Sequence, residues 1–236
     1  MTAMRSAGIE ALLFDKDGTL FDFEATWGVW AAGLLLRLAD GDLGRAAYLG
    51  DIIGYDYHRS KFLPDSFVIA GTPDDLVTAF APEFPSHSRQ ELITMINDQA
   101  EDAPMTEAVP LDPLLRQFAG HGLRLGVATN DAVRPAYAHL DGVGVRDHFD
   151  FIAGSDSGFG AKPEIGQLTA FCDAVGVAPR DTVMIGDSTH DLLAGRAAGM
   201  WTVAVLTGPA DTDALKDHAD VVLPDIGHLP SWLGLD

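Results

Sequence analysis

The chain is nearly without cysteine. Cys172 stands alone among 236 residues, so no disulfide can form within the chain. Ile165, Leu168, Phe171, Cys172 and Val175 follow helical spacing, which gives that thiol a place in core packing rather than in chemistry. Long apolar runs are also missing. The longest, Ala25 to Leu36, ends at Arg37 and is too short to span a bilayer. No basic-then-apolar pattern opens the chain, and Asp15 interrupts the first apolar stretch, so a cytoplasmic location is the expectation. Positive charge is scarce: 15 lysines and arginines face 35 acidic residues, for a net charge of −20. Such a surface repels nucleic-acid phosphates and anionic lipid, which excludes both as expected partners. The same field opposes capture of an anionic substrate unless a metal and a few cations dominate locally. Internal repeats and low-complexity tracts are absent as well. What is present is ordinary for a folded globular protein, 47% hydrophobic and 21% charged, with length for one substantial domain or a core carrying a smaller insertion.

The most informative segment is Leu12-Leu13-Phe14-Asp15-Lys16-Asp17-Gly18-Thr19-Leu20. A short apolar run reads as a buried strand, and Gly18 supplies a sharp turn where it stops. Two carboxylates, Asp15 and Asp17, are thereby presented at the carboxyl end of a strand, where open α/β sheets bind their ligands. Carboxylates this close repel each other unless a cation sits between them or one keeps a proton. That requirement points to metal-assisted chemistry with a nucleophile and an acid–base partner.

From Leu111 onward helices and strands alternate. Strands are expected at 123–128, 149–153, 182–185, 201–205 and 220–223, and helices at 112–120, 132–140, 164–175 and 188–199. This spacing predicts an α/β fold, a Rossmann-like parallel sheet with helices on both faces. Between Asp22 and about Ala103 the pattern changes. Trp27, Trp30, Ala31, Leu34, Leu35 and Leu38 recur at three- and four-residue steps, Thr72-Pro73-Asp74-Asp75 reads as a capped helix start, and 89–100 as a further helix. The expected organisation is a core of residues 1–21 and 105–236 with a helical cap domain inserted over 22–104.

Three further motifs follow in order: Thr129-Asn130 after the run Leu123 to Ala128, Lys162 in Gly160-Ala161-Lys162-Pro163, and Gly186-Asp187-Ser188-Thr189-His190-Asp191 after Val183-Met184-Ile185. With Asp15-Lys16-Asp17-Gly18-Thr19-Leu20 they resemble the four signatures of the haloacid-dehalogenase-like hydrolase superfamily, in a layout similar to its phosphoglycolate phosphatases. The resemblance covers roughly residues 8–20 and 110–225. It implies that Asp15 is the nucleophile, forming an aspartyl-phosphate, and that Asp17 is the general acid and base. Thr129, Asn130 and Lys162 would hold the phosphoryl oxygens, with Lys162 also neutralising charge on the nucleophile. Asp15, the Asp17 carbonyl, Asp187 and Asp191 would hold Mg²⁺, Asp191 directly or through water, a donor set of oxygens that suits this ion. The implied activity is Mg²⁺-dependent hydrolysis of a small phosphomonoester, phosphoglycolate-like or a sugar phosphate. A sugar phosphomutase and a non-catalytic regulatory protein on the same fold are the alternatives. The expected partner is a small phosphorylated metabolite; monomer and homodimer both stay open.

Lys16 replaces the apolar residue usual between the two aspartates and places an extra cation near the site, where it could aid substrate capture or point away. His58, His139 and His148 have no ligand spacing and are assigned no role, and His190 is expected behind the ligands or facing solvent. In the insertion, Tyr55-Asp56-Tyr57-His58-Arg59-Ser60-Lys61-Phe62 gathers aromatics and cations, which makes Arg59 and Lys61 candidates for substrate selection.

Overall fold

The first strand, β1 (Ala11–Phe14), is buried at every position because both faces of its sheet are covered. Leu12 and Phe14 enter one hydrophobic cluster, with Leu115, Phe118 and Leu229, while Ala11 and Leu13 enter another, with Leu168, Phe171 and Met184. Burial on both faces is why the segment reads as continuously apolar instead of alternating. The computed structural model describes residues 8–235; residues 1–7 of the expected core segment, and residue 236, lie outside the described residues.

After β1 come α1 (Phe23–Leu38), α2 (Leu43–Ile52), a short hairpin of β2 (Tyr55–Asp56) and β3 (Lys61–Phe62), α3 (Pro73–Phe80) and α4 (Arg89–Glu101). Then follow α5 (Leu111–Gly120), β4 (Arg124–Ala128), α6 (Val133–Gly142), β5 (Phe151–Ala153), α7 (Gly166–Val175) and β6 (Thr182–Gly186). The chain finishes with α8 (Thr189–Ala198), β7 (Trp201–Val205), α9 (Thr212–Leu215), β8 (Val221–Leu223) and α10 (Leu229–Leu233). Six strands form one parallel sheet in the order β5-β4-β1-β6-β7-β8. β1 is central, with Leu12 beside Leu125 of β4 and Val183 of β6. Strand order reverses at this point, which opens a crevice at the carboxyl ends of β1, β4 and β6. The expected α/β sheet is present, with each predicted strand within two residues of its observed start.

Helix starts follow from their caps. Thr72 accepts from Asp75 N while Asp75 reaches back to Thr72 N, at 3.2 and 2.8 Å, and Ser88 with Glu91 repeats the arrangement at the start of α4. Gly199, with φ of 81°, closes α8 and turns the chain into β7. Helices α1 to α4 bury their own cluster, including Trp30, Leu34, Leu35, Leu49, Phe80 and Ile96, separate from those of the sheet. The segment expected to be helical throughout also contains the β2–β3 hairpin. Asp56 Oδ1 accepts from the backbone of both His58 and Arg59 at 3.0 Å, which folds the intervening turn. Among the described residues no helix is long and apolar enough to cross a membrane.

Candidate active site

Asp15 sits one residue past β1 and extends its ladder, its N–H donating to Ile185 O at 2.8 Å. Gly18, with φ of 84°, then turns the chain beneath the carboxylate of Asp187; a Cβ there would lie 2.3 Å from Asp187 Oδ2. Asp187 follows β6, and Ser188 caps α8, with Asp191 Oδ2 accepting from Ser188 N and Oγ at 3.1 and 2.7 Å. The capping function therefore falls to Ser188 and Asp191, and Asp187 is left to face the crevice.

Lys162 is the hub. Its ammonium donates to Asp15 Oδ1 at 2.5 Å, Asp191 Oδ1 at 2.6 Å and Ala128 O at 2.6 Å, which uses all three of its N–H bonds. Burial alone would lower its pKa, but Asp15 and Asp191 outweigh burial and hold it above the ordinary lysine value. Oxygens of Asp15, Asp187 and Asp191 lie within 4.8 Å of one another, all three residues buried. Burial pushes Asp15 up; Lys162 pulls it part of the way back, and Asp191 and Asp17 raise it again, to about 7. Asp187 is held well above the ordinary carboxylate range by burial, then by Asp15 and Asp191. Three buried carboxylates sharing one lysine are short of positive charge, and an all-oxygen donor set fits a hard divalent cation.

A cavity of about 80 Å³ opens over these groups. Asp15, Asp17, Thr129, Asn130, Lys162, Asp187 and Asp191 all line it, so the structure brings every core residue singled out from the sequence to one place. The sequence model of the haloacid dehalogenase-like hydrolase family matches residues 9–199. The chain belongs to that family. A protein of Dickeya dadantii named "probable phosphatase IndB" is 32% identical over 91% of this chain and 88% of its own length. A phosphoglycolate phosphatase of Rhodospirillum rubrum is 36% identical over 51% of this chain. The chain matches about half the length of that relative and of a second phosphoglycolate phosphatase, 50% and 47%. The crystal structure of a β-phosphoglucomutase from Clostridium difficile superposes with a TM-score of 0.66 at 19% identity, covering 96% of this chain and 98% of that one. At that identity the likeness shows the fold alone.

Within this member of the haloacid dehalogenase-like hydrolases some side chains are used differently from the sequence expectation. Asn130 commits its amide to the main chain: Nδ2 donates to Lys162 O at 2.9 Å and Ala70 O at 2.8 Å, and Oδ1 accepts from Lys162 N at 2.8 Å. It fixes the lysine loop and ties it to the insertion, so the phosphoryl contact expected from its amide is not made available here. Arg59 and Lys61 are not brought to the site. They are 82% and 60% exposed, paired with Asp56 and Glu24, and neither lines the cavity, because the hairpin turn carries them outward. Phe62 of the same segment does line it.

Lys16 points inward and is fully buried. Its Nζ meets Asp17 Oδ1 at 2.7 Å, His139 Nδ1 at 2.9 Å and Asp131 Oδ2 at 3.2 Å, and lies 5.2 Å from the centre of a Trp27 ring. Burial would lower its pKa, and Asp17 with Asp131 more than reverses that. An ammonium has only donors, so His139 Nδ1 accepts, and its Nε2–H donates to Ala100 O at 2.7 Å. Asp131 and His139 were missed in the sequence. The available signal was Lys16 itself, since a buried lysine requires acidic and accepting partners.

Proposed function

We propose that this hydrolase is a Mg²⁺-dependent phosphomonoesterase working through an aspartyl-phosphate, with residues 22–104 serving as a cap over a core formed by the rest. The observation that carries the reading is Lys162 bridging Asp15 and Asp191, with Asp187 alongside and Asp17 on the same cavity. The phosphatase names of its relatives support the same chemistry. Asp15, Asp187 and the Asp17 carbonyl would hold the cation, with Asp191 behind them, since Lys162 and Ser188 already engage both of its oxygens. Bound there, Mg²⁺ supplies positive charge to the nucleophile and to the phosphoryl oxygens.

Asp15 Oδ attacks phosphorus and the ester P–O bond breaks, while Asp17 gives its proton to the departing alkoxide. Lys16 fixes the Asp17 carboxyl toward the cavity through its 2.7 Å contact. Asp17, now deprotonated, takes a proton from water as that water attacks phosphorus, releasing phosphate and restoring Asp15. Lys162 holds Asp15 in place and neutralises charge through both steps. Thr129, just past β4, lies within the same lining and would offer its hydroxyl to the phosphoryl oxygens, its N–H being bonded to Ala153 O.

The test is phosphate release from a panel of phosphomonoesters, with Mg²⁺ or with EDTA, for wild type and Asp15→Asn. Release that requires Mg²⁺ and falls by at least about 10³-fold in Asp15→Asn is expected. Metal-independent release, or an active Asp15→Asn, would overturn the mechanism; isomerised ester without free phosphate would identify a mutase instead.

A further inference from the structure

The two sides of the cavity differ in chemistry. The sheet side carries Asp15, Asp17, Asp131, Asp187 and Asp191 against Lys162, whose three donors are already taken. His190 lies on the same side, beside Ser188 and Asp191. The opposite side, from the inserted helices and hairpin, presents Phe23, Trp27, Trp30, Phe62, Leu76 and Ile96. Among the described residues, that side brings no lysine, arginine or histidine to the cavity. Lys16 approaches Trp27 but is shut off from solvent and already paired with Asp17 and Asp131. The indole N–H groups of Trp27 and Trp30 have no hydrogen-bond partner but are buried, so the wall meets the cavity chiefly with apolar surface.

A phosphoryl group must lie against Asp15, so the rest of the ester faces the apolar wall. A carboxylate there would lose its hydration without gaining a cation, and would add negative charge to a lining already dominated by five aspartates. An uncharged apolar or aromatic group would instead displace water from Phe23, Trp27, Trp30 and Phe62. From this division we infer that the substrate is a phosphomonoester of an uncharged, largely apolar alcohol, and that acid-bearing esters such as phosphoglycolate are excluded. The inference rests on the phosphomonoesterase reading and narrows its substrate class.

Isobutyl phosphate and phosphoglycolate nearly match in shape, with two methyl groups in place of the two carboxylate oxygens. Benzyl phosphate and 4-carboxybenzyl phosphate repeat the comparison on an aromatic frame. With the whole chain and Mg²⁺ at pH 8, kcat/KM is expected to favour the uncharged member of each pair by at least about 100-fold. Ile69, half-buried on the cavity wall, offers the reciprocal change. Ile69→Arg should shift the isobutyl-to-phosphoglycolate ratio toward the acid by about tenfold or more, while Ile69→Gln, similar in bulk and uncharged, should not. Phosphoglycolate turned over as fast as isobutyl phosphate by wild type would overturn the inference and leave the phosphomonoesterase reading standing. An unmoved ratio in a folded Ile69→Arg would count against the wall as the selecting element. No release from any ester would remove the parent reading, and the inference with it.

Discussion

Replacing Lys16 by methionine isolates the energetics of a buried charge beside the reaction centre. The ammonium is inaccessible to solvent; it is hydrogen-bonded to Asp17 at 2.7 Å and His139 at 2.9 Å and ion-paired with Asp131 at 3.2 Å. Methionine preserves most of the side-chain volume, so the change is chiefly electrical. It leaves two carboxylates facing each other without a counter-charge and strands the Nδ1 acceptor of His139. Removing one partner of a buried pair costs about 3–5 kcal/mol. Asp131 limits the loss: burial already raises it to about 6, and without Lys16 it would take up a proton at neutral pH, so the low end, about 3 kcal/mol, is expected. The second substitution Asp131→Asn removes the surplus charge and should recover about 2 kcal/mol, a coupling that a double-mutant cycle reads directly. Urea unfolding of the four proteins at pH 7.5 in EDTA, followed by tryptophan fluorescence, provides the assay. The penalty of the single variant should shrink toward pH 5, where Asp131 is protonated in either background. A cost below about 1 kcal/mol, or a double variant no more stable than Lys16→Met, would refute the reasoning.

Two further outcomes follow from the same neighbourhood. His139 is held neutral, its pKa depressed from 6.5 to about 4 by burial and by Lys16, so the unfolded chain takes its proton first and stability is lost as pH falls from 6.5 toward 4. The raised Asp131 works in the opposite sense over much of this range, and Lys16 stays charged, so the reading is the difference between wild type and His139→Gln: the variant should lack an acid-side loss of up to about 3 kcal/mol, and parallel curves would disprove the assignment. At Gly208 an added Cβ would fall 1.6 Å from Asp187 Oδ2, so Gly208→Ala should displace that carboxylate and raise the Mg²⁺ concentration for half-maximal activity by about 10-fold or more, and an unchanged Mg²⁺ titration would show that Asp187 does not hold the ion.

The sheet was legible because β1, β4, β6 and β7 are covered on both faces and must be apolar runs, with chemistry placed where each run ends. Asp15 and Asp187 directly follow strands and were legible for the same reason, whereas Lys162, in the loop between β5 and α7, and Asp191, inside α8, were singled out only by their resemblance to the family's motifs. Side-chain direction was not legible. Lys16 could have faced either way, and only the fold supplies Asp131 and His139, the latter 123 positions distant. Asn130 looked like a phosphoryl ligand because its backbone position is right, yet its amide is spent on Lys162 and Ala70. In the insertion, charge drew attention to Arg59 and Lys61, whereas the cavity is walled by Trp27 and Trp30, which had registered only as the inner stripe of a helix. An amphipathic pattern records that a side chain is buried and carries no information on whether it faces a neighbour or a hollow.

The cluster buried by α1 to α4 shares no fully buried residue with those that clamp β1, and partly buried Met105 is the side chain packed against both it and the Leu12–Phe14 cluster. Beyond Met105, wall and platform meet through polar and ring contacts, with Asn130 donating to Ala70 O, His139 donating to Ala100 O and Trp27 edge-on to His139. A substitution at Leu76 redistributes packing chiefly among the inserted helices, whereas α4, which carries Ile96, also packs on α6. A lineage holding such an architecture can exchange one alcohol for another by altering side chains such as Leu76 on one side of a seam, with the bond-breaking apparatus inherited unchanged on the other.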